Sequence, residues 1–333
     1  MPGFAFSNKY VALFLLMSLG LSNSLIAQEV VHMEEVRIEG PEVTLAGSLY
    51  TPEFCTSGCP GIVFLGGGSA DTRQNQIPFA ERFAKKGIVS LIFDKRGAGE
   101  STGDYDSRTF DNLADDAVTA FHYLANRAET DAAKTGLWGG SEGGSVALMA
   151  AARTTGVGYI VNLAGPVQFF QEGYMYELAA SLGENETSNE YRESLLQLWK
   201  HYFEDAKDGA IGAEVLADIK QWQSKADNIH IPPDTTAYPP EPDPHPRSFW
   251  YLHRLTIFEH LDMPVLMVFG ELDEAVPPGI NTSIVETAFE TLGKSNYEIH
   301  VFPRASHAFT TLEGQLVSGF FEIQIDWVLD QVL

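Results

Sequence analysis

Residues Leu137–Ala151 read LWGGSEGGSVALMAA, in which one serine, Ser141, is set among four glycines before the chain runs into an apolar, alanine-rich segment. The glycines could mark a flexible loop, or a tight corner that holds Ser141 up for chemistry. Positions 139–143 have the spacing G-x-S-x-G, but with 30 glycines in 333 residues that spacing is weak by itself. Its context is stronger. An apolar strand, GLW, ends just before the serine and a helix-forming run, SVALMAA, begins just after it. A strand-to-helix corner of this kind forces its central residue into a strained conformation and leaves room for only small neighbours at Gly139 and Gly143. A helix starting there also offers backbone amides to developing negative charge. A loose loop explains the glycines but not the elements on either side.

A serine hydroxyl is a poor nucleophile and needs a histidine base, usually oriented by a carboxylate. Chain order narrows the choice among nine histidines. In VLMVFGELDEAVPP, Asp273 stands just past an apolar strand, and in YEIHVFPRASHAF, His307 stands just past the next. Glu271 is a nearby rival carboxylate, and His300 lies within its strand, where packing is the expected role. Ser141, Asp273 and His307 at three successive strand exits form the expected triad. An oxyanion needs two backbone N–H donors. The amide of Glu142, the residue after the serine, is one candidate; Gly68, in the GGGS run that follows GIVFL, is the other. No G-x-x-x-x-G-K-[ST] or G-x-G-x-x-G pattern follows, so a phosphate-cradling loop is a weak alternative.

Working outward, VVHMEEVRIEG and EVTLAGSLYTP suggest an N-terminal antiparallel pair. From Gly61 onward, short apolar runs (GIVFL, IVSLIFD, TGLWGG, GYIVNLAG) alternate with helical patterns, which argues for an α/β protein with a mostly parallel sheet covered on both faces. From about Phe169 the strand rhythm stops. Met175–Ala226 is helical in pattern, and IPPDTTAYPPEPDPHPRSFW, rich in proline, favours an extended connector. The rhythm then resumes with PVLMVFGELD, and a final helix is expected across residues 314–333. The expected organisation is thus a core of residues 28–168 and 253–333, interrupted by a helical insertion over 169–252. Aromatic residues of the insertion (Phe169, Phe170, Tyr174, Trp199, Tyr202, Trp222) are read first as helix packing, with some able to line a pocket.

With 45 Asp and Glu against 21 Lys and Arg, the net charge of −24 repels phosphate backbones and anionic membrane surfaces. Nucleic acid is excluded as a partner on that ground. Residues 1–27 have the three parts of a secretory signal: one positive charge in MPGFAFSNKY, an apolar run at Val11–Ser22, and a small-residue exit with cleavage expected after Ala27. The apolar run is short of the roughly 20 residues of a spanning helix. Export, and no membrane insertion after cleavage, are the expectations. The two cysteines, Cys55 and Cys59, are close enough for a local disulfide in an oxidising compartment. Two thiols without further nearby ligands make a poor zinc site.

The pieces PGIVFLGGGS, FDKRGAGESTG, GLWGGSEGG, NLAGP, MPVLMVFGELDEAVPP and FPRASHAF together resemble the α/β-hydrolase superfamily, in particular bacterial exported esterases and serine-aminopeptidase-like hydrolases with a helical cap. The resemblance spans about Pro60 to Phe309, with the cap unmatched in detail. It implies a serine hydrolase acting on a small ester or other acyl substrate, with no metal or organic cofactor. A peptidase or thioesterase on the same triad, and a non-catalytic binding protein of the same fold, are the alternatives. The family often opens its oxyanion loop with His-Gly; Gly66-Gly67 here lacks that bracing side chain. In DKRGAGES, Arg96 could hold a substrate carboxylate, but support of the turn by Asp94 and Arg96 is the preferred reading.

Overall fold

The computed structural model describes residues 30–168, 170–184, 189–206, 210–224, 231–232, 234 and 254–333. The expected signal segment and most of the proline-rich connector lie outside the described residues. Strands β1 (Val31–Glu39) and β2 (Thr44–Pro52) form the antiparallel pair expected from their sequence. Next come β3 (Cys59–Leu65), helix α1 (Ile77–Lys85), β4 (Val89–Phe93), α2 (Phe110–Ala125), β5 (Thr130–Gly140), α3 (Glu142–Arg153) and β6 (Ile160–Leu163). The insertion contributes α4 (Phe170–Glu184), α5 (Asn189–Ala206) and α6 (Ala213–Gln223). The chain closes with α7 (Arg254–Glu259), β7 (Val265–Gly270), α8 (Pro278–Thr291), β8 (Tyr297–Phe302) and α9 (Phe320–Val332).

Among the described residues the strands form one sheet in the order β1-β2-β4-β3-β5-β6-β7-β8. Pairing is antiparallel from β1 to β4 and parallel from β4 through β8. The alternation of side chains explains why the buried stretches of the inner strands are largely apolar. In β3, Val63 and Leu65 face the core shared with α2, α3 and α8, whereas Ile62 and Phe64 face the core shared with α1 and α9. Both faces are covered, so apolar residues predominate in both sets.

The final helix starts later than its apolar pattern suggested. Gly319 takes φ 79° just before it, and Thr310 and Leu316 form an isolated bridge, so the residues before Phe320 make a turn instead. Helices α4, α5 and α6 build a hydrophobic cluster of their own, including Leu178, Leu195, Trp199, Tyr202 and Phe203. Tyr174 stacks on Trp199 and Phe203, and Tyr191 on Trp222, so these aromatics pack helix against helix. Phe169 lies outside the described residues. No described helix is long and apolar enough to cross a membrane.

Cys55 and Cys59 are joined, with Cα atoms 6.0 Å apart, and the link closes the turn between β2 and β3. Because the loop is short, the constraint on the unfolded chain is small. Replacing both cysteines by serine should lower the unfolding free energy by about 2 kcal/mol, read as a lower midpoint in urea. An unchanged midpoint would show that the link contributes nothing.

Candidate active site

The sheet order decides where chemistry can gather. β4, β3, β5, β6, β7 and β8 are successive parallel neighbours, so the loops leaving their C-terminal ends share one edge. Ser141 leaves β5, Asp273 follows β7, His307 follows β8, and the Gly66–Ser69 loop leaves β3.

Ser141 has φ 53° and ψ −123°, a conformation that costs a non-glycine residue roughly 1–3 kcal/mol. Its neighbours hold it there. A Cβ on Gly139 would overlap the carbonyl of Gly143, and a Cβ on Gly143 would overlap the carbonyl of Leu65. The corner is therefore packed backbone on backbone, between the end of β5, the start of α3 and the end of β3. The Ser141 amide donates to the Leu163 carbonyl at 2.8 Å, and the Gly144 amide donates to the Ser141 carbonyl at 2.9 Å, tying the corner to β6 and to its own helix.

The Ser141 hydroxyl lies 3.1 Å from His307 Nε2, and His307 Nδ1 lies 2.8 Å from Asp273 Oδ2. The Asp273 side chain is fully buried, while that of His307 is 35% exposed. Asp273 Oδ1 accepts from the amides of Ala275 and Val276 at 3.0 and 2.7 Å. With one oxygen held by the backbone, the other is left facing the imidazole. Glu271 is exposed and accepts from the Arg304 amide at 2.6 Å, away from His307. His300 stays in β8, its ring against Phe302, and burial pulls its imidazole below the ordinary range.

A cavity of about 370 Å³ opens beside Ser141 and His307. Gly66 and Gly67 line it, with an aromatic wall that includes Phe79, Trp138, Phe309 and Phe320. Gly68, the expected oxyanion donor, sits next to the Glu142 side chain, so the loop lies across the start of α3. The aromatic wall went unread in the sequence because it is drawn from α1, β5, the loop after β8, and α9. No local pattern joins those elements.

The DKRG turn is occupied by structural contacts. Asp94 accepts from the amides of Arg73 and Glu100 and pairs with the Arg73 guanidinium. Arg96 meets Asp116 through two hydrogen bonds of 2.7 and 2.8 Å, and also reaches the Asn112 carbonyl and Glu42. Burial nevertheless keeps the Asp116 carboxyl above its usual range. Arg96 is thus committed to α2. Sequence reasoning passed over Lys95, the residue between them, which is buried beside Glu142.

Backbone crowding at the corner yields a direct test. Gly143→Ala should push α3 off β3, lower the thermal midpoint by several degrees and weaken labelling of Ser141 by an active-site-directed phosphonate. Unaltered stability and labelling would mean that the corner has slack.

Comparison with known proteins agrees with this architecture. Hypothetical protein PA2218 from Pseudomonas aeruginosa superposes with a TM-score of 0.58 at 22% identity, covering 90% of this chain and 94% of its own. Est1E from Butyrivibrio proteoclasticus, solved with ferulic acid, superposes with a TM-score of 0.56 at 17% identity, covering 89% and 99%. Acetyl xylan esterase 1 from Thermoanaerobacterium does so at 0.51 and 16%, covering 92% and 89%. At these identities the likeness concerns the fold. An uncharacterized 31.7 kDa protein of Escherichia coli, from the traX-finO intergenic region, is 30% identical over 102 residues. That match takes in 30% of this chain, which spans only 36% of the relative's length. The sequence model of the X-Pro dipeptidyl-peptidase (S15) family matches residues 32–292, from the first strand through the helix after β7. On that match, over an α/β-hydrolase sheet, the chain belongs to the S15 peptidase family.

Proposed function

We propose that the protein is a serine hydrolase that cleaves carboxylic esters through Ser141, His307 and Asp273. The observation that carries this reading is the unbroken hydrogen-bonded line from the Ser141 hydroxyl through both nitrogens of His307 to a buried carboxylate. Ser141 Oγ attacks the substrate carbonyl as His307 Nε2 takes its proton, and the imidazolium that forms is stabilised by Asp273. The amides of Gly68 and Glu142 receive the oxyanion. His307 then returns the proton to the departing alcohol, leaving an acyl group on Ser141. Water, activated by the same histidine, releases the acid. The aromatic wall of the cavity suits an apolar acyl or aryl group.

A second reading is supported by membership of a peptidase family: the same machinery acting on an amide bond of a small peptide. Esters and amides differ in leaving group, so a panel of aryl esters, thioesters and amino-acid arylamides separates the readings. We further propose export to an oxidising compartment, supported by the leader-like pattern at the N-terminus and by the Cys55–Cys59 disulfide.

Ser141→Ala should lower turnover of a short-chain aryl ester by at least about 10⁴-fold; equal turnover by the variant would remove the nucleophile assignment. Asp273→Asn should cost about 10³- to 10⁴-fold in kcat, while Glu271→Gln stays within about twofold. A greater loss from Glu271→Gln would show that the carboxylate was misassigned. Absence of phosphonate labelling at Ser141 in folded protein would favour a binding role for the fold.

A further inference from the structure

We infer that Lys95 and Glu142 form a positioning pair that clamps the oxyanion loop, supplying from outside the loop the brace that Gly66-Gly67 cannot. The inference rests on the hydrolase reading above and goes beyond it, because neither side chain has a part in the triad.

The strand order sets the arrangement. β3 lies between β4 and β5, so the loop leaving β3 has the end of β4 on one side and the end of β5 on the other. Lys95 stands just past β4, and Glu142 just past β5, directly after the nucleophile. Their side chains meet at 2.6 Å and are 8% and 10% exposed. Two opposite charges this deeply buried recover their desolvation only through close contacts that leave no donor idle. An ammonium has three N–H groups. Those of Lys95 have three acceptors: the Glu142 carboxylate, the Gly67 carbonyl, and the Ser69 carbonyl at 3.3 Å. The carbonyl between those two, Gly68, accepts from the Tyr105 hydroxyl at 2.8 Å. Three consecutive carbonyls of the loop are thus held by side chains rooted in the segment between β4 and α2.

Holding a carbonyl also aims an amide. In a trans peptide the C=O of one residue and the N–H of the next point in opposite directions. With the Gly67 carbonyl turned toward Lys95, the Gly68 N–H faces away from it. On the nucleophile's side, Gly67 approaches Ser141, with room for a Cβ only 3.8 Å from that of the serine. The same ammonium fixes Glu142, whose amide is the other expected donor. One cation therefore sets both halves of the oxyanion hole relative to each other. A loop of three glycines would otherwise sample many conformations, and preorganised donors are what make such a hole effective.

The test compares wild type, Lys95→Met, Glu142→Gln, the double variant and Tyr105→Phe in turnover of a short-chain aryl ester. Each is also measured for thermal midpoint and for affinity toward a trifluoromethyl ketone, whose adduct with Ser141 places an oxyanion in the hole. A positioning role predicts a fall in kcat of about 10²-fold for Lys95→Met and for Glu142→Gln. KM should stay within about threefold, and ketone affinity should weaken in step with kcat. The double variant should lose little more than the worse single one. Tyr105→Phe, which removes one hydroxyl and leaves the buried pair intact, should fold normally and lose up to about tenfold in kcat. If the neutral pair variants do not fold, Glu142→Asp, which keeps both charges but shortens the carboxylate's reach, decides the matter: a fall in kcat and ketone affinity supports the inference, and wild-type values of both overturn it. Lower midpoints with unchanged kcat and ketone affinity would show a purely structural ion pair and overturn the inference. If wild type shows no turnover that depends on Ser141, the hydrolase reading itself falls, and the pair's role falls with it.

Discussion

The constraint on which the rest depends is the corner at Ser141, where a strand turns into a helix with no space for side chains on either side. The serine sits at positive φ because Gly139 and Gly143 allow the backbones of β5, α3 and β3 to touch. That contact does two things at once. It lifts the hydroxyl out of the sheet edge, and it brings the start of α3 beneath the loop from β3. Ser141 and the Gly66–Ser69 loop are therefore positioned by one packing event. Energy stored in the strained serine is offset by the burial of two hydrophobic cores, one on each face of the sheet.

Around that corner the charges are arranged by burial. The carboxylate of Asp273 is sealed under backbone amides and offers its remaining oxygen to His307, whereas Glu271, two residues earlier, faces solvent. The DKRG turn distributes its charges in three directions: Asp94 toward Arg73, Arg96 toward α2, and Lys95 toward Glu142 and the Gly66–Ser69 loop. A run that looks like one cluster of charge in the sequence is three separate structural fastenings.

The insertion follows the same logic at a larger scale. Tyr174, Trp199, Tyr202 and Phe203 pack on one another in a cluster of their own, and the cavity beside Ser141 takes its wall from core elements among the described residues. Shape at the cavity beside Ser141 is thus coupled to α1 and α9, which pack on the face of the sheet that Trp138 shares. Trp138 donates to Gln324 of α9 at 2.7 Å, so the residue three before Ser141 is also a tie between sheet and helix.

Much of this was legible in the chain itself, for physical reasons. Parallel strands buried on both faces are mostly apolar, so β3, β4, β6, β7 and the end of β5 announce themselves as short apolar runs. Close backbone crossings must be glycine, so the corner at Ser141 is written in its neighbours. Asp273 and His307 were legible as candidates because each stands a few residues past the end of a strand, β7 and β8. Tertiary structure alone decided which residues meet across those elements. Lys95 passes for a surface lysine until the sheet order puts β3 between β4 and β5, and the aromatic wall exists only once α1 and α9 share a face. Local periodicity records whether a side chain is buried; it carries no record of the distant residue against which it is buried.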